Sequence, residues 1–181
     1  MSLYSKTLFK VACLFAMADG KLTEEDEKRL NDLAKKLSLE PSDRWNIMGY
    51  CRDLEFFQED ECASEVIRLI SDTLDQAPTN PNFEADTLWT LLNLSCAGGE
   101  YSEPEKAIIQ YLIKKWNIDP RIVAEFNDTI ETISLLTKQK TWLLTIGLSD
   151  SEVKSQTRKI DQNIHRLQSN IEITIHEADK V

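Results

Sequence analysis

The chain is predicted to be all-α and multihelical, on three observations. Only five glycines and five prolines interrupt 181 residues, too few to punctuate a sheet of short strands. Apolar residues recur at spacings of three and four along most of the chain, the helical period. Two stretches, VACLFAMA at residues 11–18 and the run around Leu88–Cys96, are apolar almost all the way round. A helix without a polar face must be enclosed by protein. With 41% hydrophobic and 29% charged residues, the composition is that of a folded globular chain.

The first helix is expected over residues 3–18. Asp19-Gly20-Lys21 then turns the chain, with Gly20 suited to a left-handed helix end. Thr23, followed three residues on by Asp26, has the spacing of a capping box and opens a second helix whose first turn is acidic. Its buried stripe is Leu30, Leu33, Ala34 and Leu37. Pro41-Ser42-Asp43 ends that helix and starts a third near 43–54, and a fourth runs from about Glu59 to Gln76 with Val66, Ile67, Ile70 and Leu74 on one side. Residues 77–82 read as a loop. The pattern then recurs: a helix over 83–97, a Gly98-Gly99 end, a second box at Ser102 and Glu105, and a stripe of Ile108, Ile109, Leu112, Ile113 and Trp116. The tryptophans Trp45, Trp89, Trp116 and Trp142 are all expected in the core, given the area each buries.

An offset of 79 residues aligns Ala18–Pro41 with Ala97–Pro120 without a gap. Seven of the 24 positions are identical, among them Gly20 and Gly99, Glu24 and Glu103, Leu33 and Leu112, and Pro41 and Pro120. Amphipathic helices share stripes by chance, but not a glycine, a cap and a terminal proline in register, so an internal duplication is inferred.

The string AMADGKLTEEDEKRLNDLAKKL at residues 16–37 resembles the motif of the TerB family of tellurite-resistance and stress-response proteins. In that motif a small-residue helix ends at Ala-Asp-Gly and an acidic, capped helix follows. CAGGEYSEPEKAIIQYLIKK at residues 96–115 resembles a decayed copy, with Gly98 where the motif has Asp. The resemblance implies a helical domain of two pseudo-two-fold related repeats around two central helices. It covers residues 1–148, with repeats at about 3–77 and 83–147. Residues 149–181 have no counterpart in it and read as one amphipathic helix, capped by Ser149 with Glu152 three residues on. Val153, Thr157, Ile160, Ile164, Leu167, Ile171, Thr174 and Ala178 form a heptad stripe along it.

The net charge of −10 disfavours a nucleic-acid partner. Cys13, Cys51, Cys62 and Cys96 follow no zinc spacing and read as reduced structural thiols. The N-terminus lacks a signal-peptide pattern and the longest apolar run is far short of a transmembrane segment, so a cytoplasmic location is expected. An EF-hand counted back from Gly20 would place Phe15 and Met17 where oxygen ligands are required. His165 and His176, about 16 Å apart along a helix, cannot share a metal. No nucleophile motif or phosphate loop is present, and no enzyme is expected.

Two uses remain for Asp19. Its carboxylate closes an Asx-turn, or it joins Glu24 and Asp26 in an acidic site for a divalent cation such as Ca²⁺ or Mg²⁺, extended across the repeat by Glu100, Glu103 and Glu105. The expected function, following the resemblance, is a non-enzymatic protein-binding module or adaptor in a bacterial stress, tellurite-resistance or defence response. The alternative is a divalent-cation-binding or sensing domain. The C-terminal helix is expected to pack on the body of the chain, to pair with its copy in a homodimer, or to receive a protein partner, through Ile160, Ile164, Leu167 and Ile171 of its stripe.

Overall fold

The computed structural model describes residues 3–20, 22–54, 62–77, 80–96, 102–147 and 149–177, without the side chains of 96, 176 and 177. Among them are eight helices and no strand. In order these are α1 (Leu3–Ala16), α2 (Glu24–Lys36), α3 (Pro41–Arg52), α4 (Cys62–Asp75), α5 (Pro81–Cys96), α6 (Glu103–Trp116), α7 (Pro120–Leu143) and α8 (Asp150–Glu177). They form two compact units, Met1–Asn117 with α1–α6 and Ile118–Val181 with α7 and α8. The structure thus groups α7 with α8, whereas the sequence reading ended its first domain at 148. No described helix is long and apolar enough to cross a membrane.

In the first unit α1 is the hub, packing against α2, α3, α4 and α5, while α6 packs on α4 and α5. Val11 to Phe15 are all buried, as are Met17 and Ala18 beyond the helix end. α1 stops two residues earlier than expected because its end tightens: Met17 N–H donates to Leu14 O at 3.1 Å and Ala18 N–H to Phe15 O at 3.0 Å. Gly20, at φ +89°, then reverses the chain. Tyr4 of α1 donates a hydrogen bond to Asp86 of α5 and sets its ring edge-on to Phe83 at 4.9 Å. Burial and that carboxylate both push the Tyr4 phenol pKa upward.

Both capping boxes are present. Asp26 N–H donates to Thr23 Oγ1 at 3.2 Å, and Thr23 N–H donates to Asp26 Oδ2 at 3.0 Å. The Ser102–Glu105 pair does the same at 3.3 and 2.9 Å. α2 buries Leu30 and Ala34 but leaves Leu33 and Leu37 half-exposed, and α6 likewise buries Ile108, Ile109 and Leu112 but not Ile113 or Trp116. In α4, Val66, Ile70 and Leu74 are buried; its expected start at Glu59 lies outside the described residues. Gly98-Gly99, Glu100 and Ala178 also lie outside them.

Two helices begin earlier than the sequence reading placed them. α3 starts at Pro41 and α5 at Pro81, because proline's fixed φ and missing N–H suit the first helical position. Asn80 Oδ1 accepts the Phe83 N–H at 2.9 Å and caps α5 inside the expected loop.

In the second unit α7 and α8 pack on each other as a hairpin, tied by Lys140 Nζ and Asp161 Oδ1 at 2.7 Å. Asp119 caps α7, accepting the Arg121 N–H at 2.8 Å. Phe126, Ile130, Ile133 and Leu143 of α7 are buried. On α8 Ile160 and Ile171 are buried, as is Ile175, while Ile164 and Leu167 are half-buried. Ser149 Oγ donates to Glu152 Oε2 at 2.5 Å at the head of α8.

The tryptophans require a correction. Trp89 is buried and Trp116 half-buried, but Trp45 is 68% and Trp142 58% exposed. Trp142 and Leu135 both sit about 160–180° around α7 from Phe126 at about 100° per residue, on the face opposite the buried one. Helical context alone did not reveal that second face.

Candidate functional site

The acidic turn after α1 and the heads of α2 and α6 come together around one pocket of about 250 Å³ in the first unit. Phe15 and Ala16 at the end of α1, Leu30 of α2 and Leu94 of α5 form its apolar wall. Asp19, Thr23, Asp26, Arg29 and Glu105 supply its polar part. Each arrives for a local reason. Asp19 stands where α1 has ended, and Asp26 and Glu105 are the third residues of their capping boxes, which aims both carboxylates back toward their helix starts.

Two pairs in the wall are separated by the repeat offset of 79: Phe15 with Leu94, and Asp26 with Glu105. Arg29 breaks that pairing, since the residue 79 positions later is Ile108. Its guanidinium spans the pocket. Nη1 donates to the Leu94 carbonyl at 3.3 Å, one of the carbonyls left without a helical partner at the end of α5. Nη2 donates to Glu25 Oε1 at 2.5 Å, and Asp26 Oδ1 lies 3.8 Å from Nη1. Two carboxylates, of Glu25 and Asp26, therefore face one guanidinium.

No protein-family profile, curated protein or solved structure matches the chain.

Of the residues singled out in the sequence for a metal, Asp19 and Asp26 line the pocket, whereas Glu24 lies outside its wall and is exposed. Among the described residues no group of three or more His, Cys, Asp or Glu side chains is placed to hold a metal ion. The Asx-turn expected of Asp19 would bond the N–H of residue 21, which lies outside the described residues. Glu103 is exposed and pairs instead with Lys106 at 2.6 Å. The buried Cys62 thiol donates to Met17 O at 3.3 Å behind the turn, and its pKa is raised, first by burial and also by the nearby Asp19 charge. His165 is exposed and is not part of the pocket's lining.

Sequence reasoning missed Arg29, Phe15 and Leu94. The signal for the last two was present: aligned at the 79-residue offset, both fall one position before a small residue, Ala16 and Ser95. Arg29 carried a different signal, a cation where the second half has isoleucine.

Proposed function

We propose that the chain is a TerB-like, non-enzymatic protein-binding module or adaptor of a bacterial stress response of the tellurite-resistance or defence type, and that its pocket receives a basic side chain of a protein partner. The observation that carries this reading is the pocket itself: an apolar wall of Phe15, Leu30 and Leu94 beside an excess of carboxylates. A lysine or arginine stem would lie on the wall while its cationic head reaches Asp19, Asp26 and Glu105. At about 250 Å³ the pocket is smaller than the roughly 300–1,000 Å³ of small-molecule sites. One side chain fits that volume better than a metabolite does.

The TerB-like duplication finds support in the element bounds. Shifted by 79, α1 would span 82–95 against α5 at Pro81–Cys96, and α2 would span 103–115 against α6 at Glu103–Trp116. Both α3 and α7 then start on a proline, at 41 and 120. In this reading α1 and α5, which pack on each other, are the two central helices. The protein acts in the cytoplasm.

The test is a nuclear magnetic resonance titration with an acetylated, amidated lysine. Shifts are expected at Thr23, Asp26 and Leu94, and are expected to vanish in Asp19→Asn combined with Glu105→Gln. A titration that leaves those signals in place refutes the reading. The second reading, a divalent cation held by Asp19 and Asp26, is favoured by these two sharing the pocket, while Glu24 stands outside its wall. Calorimetry with Ca²⁺ and Mg²⁺ on metal-stripped protein separates the two: heat that disappears in Asp19→Asn supports the cation.

A further inference from the structure

Cys13 of α1 and Cys51 of α3 meet between the two helices, both 0% exposed and both free thiols. Contacts earlier along the helices fix that register. Lys6 Nζ lies 2.8 Å from Asp43 Oδ1, and Lys10 Nζ sits 4.9 Å from the centre of the Tyr50 ring. The pairs ascend together, 6 with 43, 10 with 50 and 13 with 51, so α1 and α3 run in the same sense. A hydrogen bond joins the two thiols of the last pair. That bond, and burial after it, push the Cys13 pKa well above its ordinary value, so Cys13 stays a neutral, unreactive thiol while the helices are packed.

Of the two helices, α3 is the one that can lift. It buries only Met48 and Cys51, and α1 is the helix it packs against. Arg52 ties it to Glu27 of α2 at 2.7 Å, but through an ion pair open to solvent, which holds weakly. A helix kept down by so few buried side chains opens more readily than the hub beneath it. Opening uncovers both sulfurs, and reclosing returns them to contact.

We propose that Cys13 and Cys51 form a reversible disulfide that locks α3 onto α1 when small disulfides such as glutathione disulfide are in excess. With α3 lifted, the Cys51 thiolate attacks one sulfur of the small disulfide. Its S–S bond breaks, one small thiol leaves, and a mixed disulfide remains on Cys51. Before α3 has settled again, Cys13 loses its proton to water and attacks the Cys51 sulfur, releasing the second small thiol. Two protein thiols are then oxidised to one disulfide, and one small disulfide is reduced to two thiols. An excess of reduced thiol runs the exchange backwards. The bond joins residues 38 positions apart, which restricts the unfolded chain and holds α3 down. This device is separate from the pocket and independent of the function proposed for it.

The experiment is incubation of the full native chain with excess glutathione disulfide, followed by mass spectrometry and non-reducing peptide mapping. The wild type is expected to lose two hydrogens in mass and to yield one peptide pair joined through Cys13 and Cys51, both reversed by reduced glutathione. Met48→Ala, which loosens α3, is expected to speed the cross-link at least about tenfold. Cys62→Ala, which removes the buried thiol bonded to Met17 O instead, is expected to leave it unchanged. The oxidised wild type is expected to melt about 5 °C or more above the reduced form. The proposal is overturned if the native chain forms no cross-link, if the cross-link joins any other pair, or if a glutathione adduct persists on Cys51 without closing. A Met48→Ala rate equal to that of the wild type overturns the lifting of α3, and an oxidised form that melts no higher than the reduced one overturns the lock. The wild type alone decides the pairing, so a variant that fails to fold leaves that result standing.

Discussion

Ser38 and Asn117, 79 residues apart, both hold left-handed backbone, at φ 53° and 49°, where α2 and α6 end. Each closes its helix with a bond back to a lysine carbonyl, Ser38 N–H to Lys35 O at 3.0 Å and Asn117 N–H to Lys114 O at 3.3 Å. The two residues differ in how well they tolerate this conformation, because asparagine enters it far more readily than serine. Ser38→Gly should therefore stabilise the protein by about 0.5–1 kcal/mol, whereas Asn117→Gly should change little. Urea unfolding of the two variants checks this, and a destabilised Ser38→Gly would contradict it.

Ala18 is 1% exposed immediately beyond α1, beside the turn that carries Asp19. A larger side chain has nowhere to go there. Ala18→Leu should cost about 1–3 kcal/mol by overpacking. An unchanged melting temperature would show spare room behind the turn.

Asp119 offers a pH test. Hydrogen bonds from the Arg121 guanidinium and backbone N–H hold its carboxyl down at about 2, against an ordinary 3.8. The folded value is the lower one, so on acidification the unfolded chain takes up the proton first. The stabilising contribution is complete above the ordinary value and is lost as pH falls through about 2. Carbon-detected titration of this carboxyl should give a midpoint near 2, and Arg121→Ala should move it upward. A midpoint at the ordinary value in the wild type would sink the clamp.

The stripe on α8 can be read by alanine substitution. Ile171 is 2% exposed and Ile160 5%, so Ile171→Ala and Ile160→Ala should each cost about 2–4 kcal/mol. Ile173, on the outer side of the same helix, should cost less than about 0.5 kcal/mol. Uniformly small effects at all three positions would mean that the stripe awaits a partner instead of packing within the chain.

How legible this was depended on the kind of signal. Thr23 with Asp26 and Ser102 with Glu105 were readable because a capping box is local, three residues wide and tied to its backbone geometry. The burial of Val11–Phe15 followed from a helix with no polar side. Pro41 and Pro81 were read as breaks because proline is equally at home after a helix and at the start of the next one. Trp142 was misjudged since composition names an apolar residue but not the face it takes, and α7 has apolar residues on two. The pocket was half legible: Asp19 and Asp26 lie near each other in sequence, whereas Phe15, Arg29 and Leu94 meet them only through the packing of α1, α2 and α5. That packing is a property of tertiary contact, which no local spacing encodes.

Arg29 bonded to the Leu94 carbonyl makes the pocket a property of the joined halves. Phe15 and Asp26 come from the first half, Leu94 and Glu105 from the second, so neither half owns a complete wall. Whatever enters the pocket must act as a clamp, since it gains its full set of contacts only while the halves are closed upon each other. By mass action occupancy and closure then reinforce one another. A ligand too weak to be noticed by affinity would still announce itself as slowed amide exchange at the ends of α1 and α5.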